Sequence, residues 1–104
     1  MNKNNSLEVI KDCTTYIKNH LQDTLTAESL ASRYGYSFYH FCHIFKICCD
    51  MSPGKYIRLL RLEKAKKDIL SGMSITQAGF DNGFETSSGF SKAFRKEYGI
   101  SARE

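Results

Sequence analysis

The sequence predicts an all-α fold of short helices, forming two helix-turn-helix subdomains joined by a long linker helix. Three observations carry this. Alternating runs of β-branched residues are absent, which argues against sheet. Capping residues and glycines punctuate the chain at helix-length intervals. Finally, FCHIFKICCDMS (Phe41 to Ser52) and FSKAFRKEYGIS (Phe90 to Ser101) spell one pattern 49 residues apart. In each, a Phe is followed four residues on by a second Phe and then a basic residue. Asp or Gly comes four residues after that, and Ser two beyond.

The polar MNKNN start (residues 1–5) reads as a linker remnant or disordered end. Ser6 opens a first helix to about His20, with Leu7, Ile10, Cys13 or Thr14, Ile17 and Leu21 along one stripe. Thr26 caps a short second helix, AESLASRY, which Gly35 ends. Ser37 caps a third, carrying Phe41, Ile44, Phe45 and Cys48 inward, with Asp50 at a left-handed end. Ser52-Pro53 restarts the chain as N-cap and first helical residue of the linker helix, about 53–70, stopped by Gly72. Its apolar residues do not keep to one side, the mark of a helix packed between two bodies. At about 1.5 Å per residue it is a strut of about 27 Å.

The first half then repeats. Ser74 caps ITQAGFDN as Thr26 caps AESLASRY, Gly83 answers Gly35, and Phe84 answers Tyr36. The helix-turn-helix units span about 26–50 and 74–99, within a domain of 6–104. The small Ala31 and Gly79 let the two helices of each unit cross closely, and Phe41, Phe45, Phe90 and Phe94 form core stripes. Such a layout places its second helix in a DNA major groove.

Composition excludes several function classes. No apolar run approaches the ~18 residues of a membrane span and no signal-peptide core follows Met1, so the expectation is cytoplasmic with no membrane partner. Net charge is +4, with five Lys/Arg against five Asp/Glu in residues 1–50 and ten against six in 51–104. A basic second half suits an anionic partner. Cys13, Cys42, Cys48 and Cys49 show no paired metal-ligand spacing, so reduced core thiols are expected, with no metal and no cofactor. No nucleophile–base pairing or phosphate loop points to an enzyme.

The strings LTAESLASRYGYS, SPGKYIRLLRLEKA, ILSGMSI and GFETSSGFSKAFRK, with the closing GIS, resemble the DNA-binding domain of AraC-type transcription regulators. The likeness runs from Leu7 to Ala102. It implies about seven short helices and a monomer reading two adjacent major grooves of double-stranded DNA. Carried over by position, base-reading residues are Phe38, Tyr39, Cys42 and His43 on the first recognition helix and Ser87, Ser88, Ser91 and Lys92 on the second. Lys46, Arg95 and Lys96 fall toward phosphates, and Arg61 becomes a structural tie. Where the family has isoleucine-alanine this chain has Ala78-Gly79, which predicts a looser helix, and Gly89 costs about 1 kcal/mol against alanine. A final helix clipped near Glu104 is also expected.

The resemblance further implies RNA polymerase as a partner and a sensing or receiver domain elsewhere in a longer protein, the receiver making it a response regulator. The competing reading is a protein-interaction module, docking on another regulator or on RNA polymerase with little DNA binding of its own.

Overall fold

A computed structural model describes residues 3–103, and these form six helices: α1 (Lys3–Asn19), α2 (Ala27–Arg33), α3 (Phe38–Cys49), α4 (Pro53–Leu70), α5 (Ile75–Asp81) and α6 (Ser87–Tyr98). Hydroxyl side chains open five of them. Thr26, Ser37, Ser74 and Thr86 each accept an N–H from the residue three on, and Ser52 accepts from Lys55. Each bond satisfies one of the donors a helix start leaves free. Asp50 ends α3 in the left-handed region at φ 62°, and Gly99 ends α6 at φ 76°.

Three expectations need correction. The first helix begins at Lys3, not Ser6, so residues 3–5 are helical; Met1 and Asn2 lie outside the described residues. Leu7 is 49 % exposed, because only Ile10, Cys13 and Ile17 of the stripe face the core. Cys48 is exposed as well: it shares the side of Phe41 and Phe45 but stands in the last turn of α3, beyond the residues that the core covers; Cys42 and Cys49 are half-buried. Of the four free thiols only Cys13 is a core residue, and burial pushes its pKa up to about 12. Residues 102 and 103 form a turn, and the six helices of the described residues stand close to the expected number of about seven.

The chain divides into two compact units between Ile57 and Arg58, inside α4. In the first, α3 packs on both α1 and α2. Ile10, Cys13, Ile17, Leu30, Ala31, Phe41, Phe45 and Ile57 are buried. The C-terminal end of α2 is tied to α1 by polar contacts. Tyr34 donates to Asp12 Oδ2 at 2.6 Å, and the Arg33 guanidinium lies 4.0 Å over the Tyr16 ring, on which His20 also stacks.

In the second unit Leu62, Ala65, Ala78, Phe90 and Phe94 form the core, with Ile69, Met73, Phe84, Tyr98 and Ala102 packed around it. Asn82 is buried and donates to Ala78 O at 2.8 Å and to Asp68 Oδ2 at 2.9 Å. Tyr34 and Asn82 are the C-cap residues of α2 and α5, so each unit binds its short helix to an aspartate on the helix before it. The later half of α4 thus does for the second unit what α1 does for the first.

Gly79 is buried under the Phe90 ring, where a Cβ would lie 2.9 Å from Cδ2. The glycine therefore leaves no gap between α5 and α6; the ring occupies it. Gly89 has a local reason too. Its N–H bonds Thr86 Oγ1 at 2.9 Å, and a Cβ would stand 3.0 Å from that same oxygen.

Candidate nucleic-acid interface

On α3 the rings of Phe41 and Phe45, 5.7 Å apart, point inward, and Phe45 meets Tyr56 of α4 edge-on at 5.4 Å. At about 100° per residue, positions 39, 43 and 46 fall opposite that pair. All three are exposed, Tyr39 by 83 %. Phe38 is 40 % exposed and sets its ring edge-on to Tyr39 at 5.4 Å. Two adjacent rings at the start of a helix present flat apolar area with one phenol donor, a surface suited to thymine methyls.

Cys42 sits on the shoulder of this face, half-buried. Burial, and then the charge of Glu28, raises its pKa, so the group offered is a neutral thiol. His43 provides ring nitrogens and Lys46 an ammonium on the outward line. Ile47 was not anticipated: it is 69 % exposed beside Lys46. Its counterpart 49 residues on is Lys96, so the signal in the sequence was an apolar residue where the repeat has a charge.

The second helix repeats the arrangement with other chemistry. Phe90 and Phe94 fill the core, and Ser88, Lys92 and Arg95 take the opposite line, each exposed. These three are the 49-residue counterparts of Tyr39, His43 and Lys46. Ser87 and Ser91 flank the line on one side and Lys96 on the other, all exposed. All four predicted site residues of α6 and both its phosphate candidates are therefore solvent-facing, as are Phe38, Tyr39, His43 and Lys46 on α3; Cys42 is the one set partly inward. The face of α6 is hydroxyl and cation, whereas that of α3 is aromatic and imidazole with one fixed charge.

Elsewhere the charges are ordinary solvated pairs. Lys64 meets Asp68 at 3.3 Å and Lys67 meets Glu63 at 3.8 Å along α4, while Lys66 lies 4.8 Å over the Tyr98 ring. Arg58 is exposed, and Arg61 is half-buried, its pKa lowered by that burial. No three His, Cys, Asp or Glu side chains gather as a cation would need, among the described residues. Among the described residues, no helix is long and apolar enough to cross a membrane.

Comparison with known proteins decides what these faces belong to. A family model described as a helix-turn-helix domain matches residues 30–104, and the C-terminal domain of AraT, a response regulator from Geobacillus stearothermophilus, superposes with a TM-score of 0.86. The chain belongs to the AraC-type helix-turn-helix family. The AraT domain is 28% identical, with 91% of this chain and 80% of that one covered. The Right origin-binding protein of Escherichia coli K12 is 29% identical over 91 residues. The HTH-type transcriptional activator RhaS of Escherichia fergusonii is 32% identical over 90. In both, 86% of this chain is matched but only 32% of the relative, so the chain spans about a third of the length of these relatives.

Proposed function

We infer that this chain is the sequence-specific DNA-binding domain of a bacterial transcription regulator, which sets α3 and α6 into two adjacent major grooves. One observation carries the reading. Each of the two Phe-backed helices leaves a complete outward face exposed, and the faces correspond residue by residue at a spacing of 49. Folding has no use for either face, and both have the donors, acceptors and apolar area that base edges require. In this reading the domain is residues 6–104, with reading units at about 26–50 and 74–99 and the linker helix at about 53–70.

Phe38, Tyr39, Cys42 and His43 read bases from α3, and Ser87, Ser88, Ser91 and Lys92 from α6. Lys46, Arg95 and Lys96 hold phosphates. None of the reading positions carries Arg or Asn, so the strong bidentate contacts to guanine and adenine are missing and specificity is modest. In the full-length protein the domain works in the cytoplasm under a receiver domain, as a response regulator contacting RNA polymerase. The likeness to the AraT domain, from a response regulator, supports the receiver.

The test is selection of bound duplexes from a random pool, followed by titration of the winner and a scrambled duplex across salt. The three cations Lys46, Arg95 and Lys96 predict a log–log salt slope of about −2.7 on B-DNA, and each further phosphate contact would steepen it by about 0.9. The selected duplex should outcompete the scrambled one at every salt. Equal, weak binding to both would instead support a module that docks on protein.

A further inference from the structure

Beside the outward line of α6 lies a shallow open hollow of about 160 Å³, lined by Ser91, Lys92, Arg95 and Ser101. Three of these are on the helix, and the fourth comes from the segment after it. We propose that this hollow seats one backbone phosphodiester of the bound DNA, with Ser101 as a ligand not foreseen from the sequence and Lys92 as a phosphate ligand rather than a base reader. The inference rests on the DNA-binding reading, adds a site to it, and moves Lys92 and its neighbour Ser91 from the base-reading set to the phosphate.

The lining chemistry is the first argument. It has two cations and two hydroxyls and no carboxylate. A concave wall of such groups matches the oxygens of a tetrahedral anion.

The second argument is the way Ser101 is held. Gly99 turns the chain at φ 76°, and its N–H takes the Arg95 carbonyl at 2.8 Å. One helix-end carbonyl that would repel an anion is thereby satisfied. Ala102 then packs on the core and anchors the returning segment. The Arg103 N–H donates to Ser101 Oγ at 3.1 Å. With an acceptor lobe occupied, the Ser101 hydroxyl proton is free to donate to an anion in the hollow. The remaining C-terminal dipole of α6 opposes an anion, but it is a fraction of a charge against two whole ones.

The first unit provides an internal control. The positions 49 residues earlier are Cys42, His43, Lys46 and Ser52. Only one fixed cation remains there, because His43 stands where the second unit has Lys92. The seat therefore belongs to the second unit.

The experiment is a scan in which single phosphates of the selected duplex are replaced, one at a time, by neutral methylphosphonates. Wild type should lose about tenfold in affinity at one phosphate. Ser101→Ala, Lys92→Ala and Arg95→Ala should each abolish the penalty at that same phosphate, and Ser101→Thr, which keeps the hydroxyl, should restore it. Lys92→Ala should also flatten the salt slope by about 0.9 while leaving the selected-to-scrambled ratio intact. Penalties erased at different phosphates by the three variants, or a ratio that collapses in Lys92→Ala, would overturn the seat while the DNA-binding reading stands. A wild type that prefers no duplex and feels no phosphate removes the DNA reading, and the seat with it. Circular dichroism of each variant confirms that the fold persists.

Discussion

The contact of Phe90 with the bare backbone of Gly79 allows a quantitative test of how the second unit is packed. Changing Gly79→Ala adds one methyl group whose position would be 2.9 Å from Cδ2, 3.0 Å from Cγ and 3.3 Å from Cβ of Phe90. Two terms of opposite sign follow. Alanine in a helix interior is favoured over glycine by about 1 kcal/mol. Overpacking a filled core costs about 1–3 kcal/mol, because a ring held on its other sides has nowhere to retreat. Phe90 is 1 % exposed, with the rings of Phe84 and Phe94 at 5.1 and 5.8 Å, so the second term should win. The expected net effect is a destabilisation of about 0–2 kcal/mol.

A control separates the terms. Gly54, in α4, has nothing within 4 Å of where a Cβ would stand, so Gly54→Ala carries the propensity gain alone, up to about 1 kcal/mol. Thermal unfolding followed by circular dichroism reads the contrast, at about 4–8 °C for each kcal/mol in a domain of this size. Gly79→Ala should melt below wild type and Gly54→Ala at or above it. If Gly79→Ala melts as high as Gly54→Ala, Phe90 is not wedged against α5 and the packing argument fails.

Other perturbations follow from the same core and its polar margins. Phe45→Ala and Phe94→Ala should each cost about 3–5 kcal/mol in urea unfolding, since both rings are buried; unchanged stability with lost DNA binding would make them readers instead. The hydroxyl of Tyr36 is buried without a hydrogen-bond partner among the described residues, and the repeat has Phe84 at the equivalent place. Tyr36→Phe should therefore be neutral or stabilising by up to about 1 kcal/mol, and a clear loss of melting temperature would reveal a partner. The hydrogen bond from Asn82, then the contact with Lys64, lowers the pKa of Asp68. Its stabilising contribution is thus present above the ordinary carboxylate value of about 3.9 and lost as pH falls through the lower folded value. Wild type should exceed Asp68→Asn in stability at neutral pH and lose that advantage below about pH 3.9; a gap unchanged by acid would show the carboxylate is not engaged.

Local chemistry alone settled much of this protein. The hydroxyl caps at Thr26, Ser37, Ser52 and Ser74, and the turns at Gly35, Asp50 and Gly72, depend only on neighbours within a few residues, so the starts of four helices could be read directly from the sequence. The Phe pairs were legible for the same reason: a spacing of four fixes one helical face and, by subtraction, the opposite one. Contacts between residues far apart in the chain have no such local signature. Periodicity placed Leu7 in a stripe but could not show that α3 covers only Ile10, Cys13 and Ile17. The matching of Asp12 with Tyr34 to Asp68 with Asn82 joins residues 22 and 14 apart, in pairs of different side chains, so no repeat in the sequence reveals it. Gly79 read as a weakness until the Phe90 ring was found lying against it, and Ser101 gained its place beside Lys92 and Arg95 only when Gly99 turned the chain back. Burial and proximity are properties of packed surfaces, and packing is decided only when all the helices are assembled.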